Sequence, residues 1–348
     1  MRDFFSKFKK SPKVFIIAEA GSNHLCDIKR VYKLIDIASE AGADAVKFQS
    51  FSANEIATQN PKYNKIKNKF KKYSNNLHSF YRKYEMPKHF YKKIINYCKK
   101  KKIIFMTSIF GMESFEDTKN INPIVKIASF EINYFELFQE IIRKRKPIII
   151  STGCSYENEI KKTVNFFKKK KYKQFALMHC GSDYPLQFKE ANLNYIKKMK
   201  KLFPSTVIGY SDHTLNISSC IAAVSLGAKI IEKHFTISQK DRAPDSFFSL
   251  EKKELKELIK NVREIEKSLG QDKKIISKKI LRMRNVGMRS YYSTENFNKG
   301  VLIKKGMFKA LRPHAKKTIA IDDFKIILNK KLRKNISKNE PLKKEHIY

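Results

Sequence analysis

Apolar residues alternate between two rhythms along the first 270 positions. Continuous, mostly β-branched runs such as Val14–Ala18 and Pro147–Gly153 suit strands buried on both faces. Further runs of this kind are Ala45–Gln49, Ile103–Ser108, Ile124–Ser129, Phe175–Cys180, Thr206–His213 and Ala228–His234. Between them apolar residues recur at helical spacing, as in Val31, Leu34, Ile35 and Ala38 within 29–40, with Gly42 just past the end. The same spacing predicts helices over 87–101, 112–119, 134–143, 157–169, 191–202, 216–227 and 250–269. Eight strand–helix units predict a (β/α)8 TIM barrel over 1–270. An open doubly wound sheet competes, but the glycine-rich dinucleotide fingerprint is missing after the first strand.

Two stretches break the rhythm. Residues 50–85 form a long polar connection with a short helix near 79–84, and a loop of that length in a compact domain suits a lid or a disordered segment. After Gly270 a charged linker, 271–285, leads into 286–348, where short runs (Ser290–Ser293, Met307–Leu311, Lys316–Ala320, Phe324–Leu328) are punctuated by turn signals. This predicts a small β-rich domain that buries little by itself.

Composition narrows the classes. The chain has 348 residues and a net charge of +41, from 74 Lys and Arg against 33 Asp and Glu. The lysines are spread end to end over the outer faces of helices, and no helix-turn-helix, zinc-finger or RNA-binding signature accompanies them, so nucleic acid is not the expected partner. No segment approaches the roughly 20 apolar residues of a bilayer span, and the basic start leads into no apolar signal-peptide core. Five scattered cysteines without paired spacing fit a reducing cytoplasm.

Barrel active sites collect at strand C-termini. There the chain offers Glu19, Asn23 and His24; Lys47 and Gln49; Thr107 and Ser108; Lys126, Ser129 and Glu131; Ser151 and Thr152; His179, Ser182 and Tyr184; Ser211 and His213; Glu232 and His234; and Asp245 just beyond. A single serine or lysine at a strand end ordinarily satisfies local backbone or reaches for solvent. Two lysines on interior strands, where Val, Ile and Leu are usual, make an anion cradle instead. His213 and His234 end neighbouring parallel strands, and two imidazoles at one edge can hold a metal ion, with Glu232 in a supporting role.

These residues sit in motifs that closely resemble the sialic acid synthase family: Ile17-Ala-Glu-Ala-Gly-Ser-Asn-His24, Ala43-Asp-Ala-Val-Lys-Phe-Gln49, Lys126-Ile-Ala-Ser-Phe-Glu131, Ile150-Ser-Thr-Gly153, Gly209-Tyr-Ser-Asp-His-Thr214 and Ile231-Glu-Lys-His-Phe-Thr236. The tail is similar to the family's small antifreeze-like (SAF) domain. The resemblance implies condensation of phosphoenolpyruvate with an open-chain N-acetylated hexose to a nine-carbon 2-keto acid. It implies that Lys47, Ser108, Lys126, Ser129, Ser151 and Ser211 hold phosphoenolpyruvate and that His213 and His234 bind Mn2+ or Mg2+. Glu19 and Glu131 would activate water or move protons. Gln49, Tyr184 and Asp245 would contact the sugar, joined across a homodimer by Arg312. Some positions point to different sugars. Phe130 and Asp245–Leu250 are more similar to pseudaminate synthases, while Ala20–Asn23 and Thr214 are more similar to the neuraminate and legionaminate group. Two other readings are a Schiff-base aldolase using Lys126 or Lys47, and a non-enzymatic basic polyanion-binding protein.

Overall fold

The computed structural model describes residues 4–66 and 69–347. The chain divides into two compact units, Met1–Gly270 and Gln271–Tyr348. Among the described residues of the first unit, eight parallel strands close into a barrel in sequence order. They are β1 (Phe15–Gly21), β2 (Ala45–Ser50), β3 (Ile104–Ile109), β4 (Val125–Ile127), β5 (Ile148–Ser151), β6 (Phe175–Cys180), β7 (Val207–Asp212) and β8 (Ile230–His234). β1 closes the ring by pairing with β2 on one side and β8 on the other, Glu19 lying opposite both Lys47 and His234.

Strand alternation sorts side chains into two cores. The outward set, with Ile16, Val46, Phe105, Ile150, Leu177 and Ile231, packs under the surrounding helices. The inward set fills the lower lumen with Ile17, Ala45, Met106, Ile124, Ile149, Met178 and Ile230. Phe4, Phe5 and Phe8 join this inner cluster, with the Phe4 and Phe15 rings edge-to-face at 5.4 Å. The aromatic start is therefore a plug for the barrel floor, a role that its basic composition concealed.

The predicted helices form with shorter ends, for example Ile28–Ala41 capped by Asp27 and closed by Gly42 at φ 88°, and Lys252–Ser268. The fourth strand is shorter than its apolar run. It stops at Ile127, and Ser129–Glu131 forms a 3-10 helix whose Ser129 hydroxyl accepts a bond from Gly153 N–H at 3.0 Å. The 50–85 connection is more ordered than its polarity suggested. It carries a capped turn at Ala53–Ile56, and the short helix expected near 79–84 forms as Leu77–Tyr84 with Asn76 as its cap. No described helix is long and apolar enough to cross a membrane.

The second unit departs further from expectation. Half of the stretch read as a linker is helical, Lys278–Gly287, started by Ser277 accepting from Ile280 N–H. Only β9 (Ser290–Ser293) and β10 (Phe308–Leu311) pair as antiparallel strands among the described residues, supplemented by single bridges such as Phe297 to Ile336. The run at 324–328 is a helical turn, Phe324–Ile327, because Phe324 and Ile327 lie three apart and share one face. The Lys316–Ala320 run contributes one bridge, from Thr318 to Lys343. Ile303, Phe308, Ile319, Ile327, Leu332, Ile336 and Leu342 make this unit's own small core.

Candidate active site

One turn of the strands above the apolar floor, the lumen becomes charged. Glu19 lies two residues beyond Ile17, Lys47 two beyond Ala45, Lys126 two beyond Ile124 and Glu232 two beyond Ile230, so the same alternation that buries the floor points all four inward. Lys47 is 2% exposed and Lys126 3%. Lys47 pairs with Glu19 at 2.6 Å and with Glu232 at 3.6 Å, and Lys126 reaches the same Glu232 oxygen at 3.6 Å. Each ammonium also donates to a serine hydroxyl at 2.8 Å, Lys47 to Ser108 and Lys126 to Ser151. Ser211 donates to Glu232 at 3.2 Å. Isolated charges would be costly here, and the layer is tolerable because two cations face two carboxylates.

The four groups do not share charge evenly. Burial pushes Glu19 up to about 7 against the pull of Lys47. Glu232 stays below the usual carboxylate range, since Lys126 and Lys47 together outweigh its burial. Glu19 and Glu232 outweigh burial at Lys47 and raise it, whereas burial prevails at Lys126 and lowers it. Glu232 thus anchors both lysines and Glu19 is the adjustable member. Glu232 was expected only in a supporting role, although its place two residues before His234 on one strand already aims it into the lumen.

Beside this layer is a crowded oxygen-lined corner. Ser129 Oγ lies 3.2 Å from Cys180 Sγ and accepts from Gly153 N–H. A Cβ on Gly153 would collide with Ser182 Oγ, lie 2.7 Å from Cys180 Sγ and 3.0 Å from Ser129 Oγ. Only glycine lets the backbone come this close. Cys180 was missed, its lumen-facing position hidden by an apolar residue type.

His213 and His234 end up with ring centroids 5.5 Å apart. His213 Nδ1 is bonded to Gly181 O at 2.5 Å, which leaves Nε2 available. His234 Nδ1 and Glu232 Oε2 are buried with no hydrogen-bond partner among the described residues. Burial lowers His213 to about 4 and His234 well below its ordinary value, so both rings are neutral. No cluster of three or more His, Cys, Asp or Glu suited to a metal is found among the described residues. Two neutral imidazoles with spare lone pairs suit an ion that keeps most of its positions open for ligands from solution.

Next to the histidines a cavity of about 540 Å³ opens, with Gln49, Ser182, Tyr184 and Asp245 among its lining residues. The Tyr184 ring lies 4.2 Å from His213. Asp245 accepts from Ser22 N–H at 2.9 Å, and burial pushes it up to about 6. Gln49 donates to Glu19 at 3.0 Å, tying the cavity wall to the charged layer. Glu131 is placed differently from Glu19. It lines a neighbouring hollow with Glu55, Phe110 and Tyr134, which shares Phe130 with the main cavity. Burial pushes it up to about 7, and its Oε2 has no partner among the described residues. Arg312 belongs to the second unit, exposed just after β10, in a loop held by Tyr292 OH donating to Pro313 O at 2.7 Å.

Residues 34–274 match the model of the NeuB family. The chain is 36% identical over 304 residues to the N,N'-diacetyllegionaminic acid synthase of Campylobacter jejuni, covering 86% of this chain and 91% of that one. It is 33% identical over 341 residues to the pseudaminic acid synthase of the same species, covering 97% of each. Among solved structures, the N-acetylneuraminic acid synthetase of Leptospira borgpetersenii, crystallised with citrate, superposes with a TM-score of 0.70 at 33% identity, over 78% of this chain and 90% of that one.

Proposed function

The chain belongs to the NeuB family, and from that premise we propose that it is a cytoplasmic synthase joining phosphoenolpyruvate to an open-chain N-acetylated hexose, giving a nine-carbon 2-keto acid and phosphate. The observation that carries this reading is the buried layer of Lys47, Lys126, Glu19 and Glu232, an arrangement with no use in a structural lumen but suited to a small polyanion.

Lys47 and Lys126 would supply charge-assisted donors to the phosphate and carboxylate, and Ser108, Ser129, Ser151 and Ser211 would complete the cradle beside the bare backbone of Gly153. Glu19 answers the incoming charge. Poised at about 7, it can take up a proton as the anion replaces it at Lys47. Gln49, Tyr184 and Asp245 would orient the sugar so that its aldehyde carbon meets C3 of phosphoenolpyruvate. His213 and His234 would hold a divalent ion, Mn2+ or Mg2+, which would polarise that aldehyde. A C3–C1 bond forms and the aldehyde oxygen gains a proton. Water then adds at C2, the C2–O bond breaks and phosphate departs, leaving a ketone. Glu19, inside the lumen, is better placed than Glu131 to accept the water proton, while Glu131 can store one at the rim. The proposal extends to a homodimer in which Arg312 of the second unit contacts the sugar of the partner chain.

A Schiff-base aldolase needs a neutral lysine. Lys47 is held charged, which leaves Lys126, lowered by burial, as the one candidate nucleophile. Purified protein given phosphoenolpyruvate, Mn2+ and N-acetylated hexoses should release phosphate and lose that activity to EDTA. Chelator-resistant turnover, with borohydride trapping of an adduct at Lys126, would replace the synthase reading with the aldolase.

A further inference from the structure

His213 and His234 are steered by different means. The His213 ring is fixed through its own Nδ1, bonded to Gly181 O at 2.5 Å. His234 Nδ1 has no partner among the described residues, so that ring takes its direction from where its strand is held and from the Phe248 ring, packed 5.0 Å from it. At this point the chain is pinned on both sides. Phe235 N–H donates to Glu19 O at 2.9 Å, and His234 O accepts from Leu250 N–H at 2.9 Å. The next carbonyl, Phe235 O, is taken by the side-chain amide of Asn23 at 2.8 Å.

Asn23 has no exposed surface. A carbonyl can only accept, so the contact with Phe235 O settles which end of the amide is nitrogen. That nitrogen also donates to Ser249 Oγ at 3.2 Å, and Oδ1 accepts from Ser246 Oγ at 3.1 Å. One side chain after the end of β1 thus holds both the exit of β8 and the turn that seats Phe248 against His234. Arg30, on the helix Ile28–Ala41, fixes the Asn23 main chain in turn, donating to its carbonyl through Nε at 3.3 Å and Nη2 at 3.2 Å. An apolar side chain could fill the same space, but only an amide can hold a carbonyl and two hydroxyls together. The Asn23 side-chain bonds go to neither imidazole, so any influence on His234 travels through the backbone. Resting on the reading that His213 and His234 hold a divalent ion, we propose that Asn23 is a positioning residue whose amide sets the end of β8, and with it the direction of the His234 ring, for that ion.

The test is a titration of Mn2+ into the metal-free protein without substrates, followed by electron paramagnetic resonance, which reads binding and not turnover. Loss of a group that orients a metal ligand weakens binding by about 10- to 100-fold, so Asn23→Ala should raise the Mn2+ Kd at least about tenfold. Asn122→Ala is the control. It removes another wholly buried amide, bonded to Thr107 N–H at 3.3 Å and Thr107 O at 3.0 Å, just before β4 and so across the ring of strands from β8. It should lower the melting temperature and leave the Kd unchanged. If Asn23→Ala does not fold, Asn23→Ser, which keeps a hydroxyl too short to reach Phe235 O, is held to the same tenfold rise. An unchanged Kd in the folded Asn23 variant, or an equal rise in Asn122→Ala, overturns the inference alone. Unmodified protein that takes up no Mn2+ overturns the metal reading and the inference with it.

Discussion

Asp212 and Lys233 form an ion pair of 2.7 Å with both side chains essentially buried, and each immediately precedes a lumen-facing histidine. Strand alternation turns the pair outward as His213 and His234 turn inward. Asp212 is held further by Tyr210 OH at 3.0 Å, Thr214 N–H at 2.9 Å and Cys220 Sγ at 3.3 Å, and Lys233 also donates to Thr214 O. The pair therefore ties the ends of β7 and β8 together beneath the two imidazoles.

Removing one partner leaves a buried charge uncompensated. Asp212→Asn or Lys233→Met should each cost about 3–5 kcal/mol in unfolding free energy and raise the Mn2+ concentration needed for half-maximal phosphate release. The double variant should regain much of the stability but not the Mn2+ affinity, as followed by denaturant melts and a metal titration. Equal recovery of both would make the pair structural only.

Gly153 provides a subtler probe. The cradle has no room for a Cβ among Ser129, Cys180 and Ser182, so Gly153→Ala should raise KM for phosphoenolpyruvate at least about tenfold, equivalent to roughly 1.4 kcal/mol, with little change in KM for the sugar. Initial rates at varied concentrations of each substrate distinguish this from a general loss.

Much of this site was legible before the fold. Period-two alternation placed Lys47 and Lys126 in the lumen, and the strand–helix–strand between Thr206 and His234 brought the two histidines to one edge. What was not legible depends on distance between strands. Glu131 reads like Glu19 in the sequence, yet the 3-10 turn at Ser129–Glu131 carries it to a separate hollow. Glu232 looked secondary until two lysines converged on it. The aromatic plug at Phe4–Phe8 escaped because short elements take their stability from packing rather than from their own periodicity, whereas the short helix expected near 79–84 forms at Leu77–Tyr84.

Glu131 links pH to stability. Its carboxyl rises in the fold from an ordinary 4.5 to about 7, so the folded chain holds the proton more tightly than the unfolded one. The stabilisation is complete below about 4.5 and is lost as pH climbs through about 7. Glu131→Gln, which mimics the protonated state, should gain melting temperature relative to the unmodified protein over this window and level off above it. A difference that is flat from pH 5 to 8 would refute the assignment.

Lys126 should matter to binding first. Lys126→Met removes a charge-assisted donor, so phosphoenolpyruvate affinity should fall by at least about 10- to 100-fold, the loss of roughly 1.5–3 kcal/mol for a charged hydrogen bond. Calorimetric titration of phosphoenolpyruvate into the unmodified and variant proteins, without sugar, reads this without turnover.

The central claim is condensation with departure of phosphate by C–O cleavage within the lysine-lined lumen. Phosphoenolpyruvate labelled with 18O at the bridging C2 oxygen, given with Mn2+ and an accepted sugar, tests it most directly by mass spectrometry. The account predicts that the label leaves in inorganic phosphate and that the nine-carbon 2-keto acid forms in equal amount. Label retained in the keto acid, or phosphate released without that acid, would contradict it.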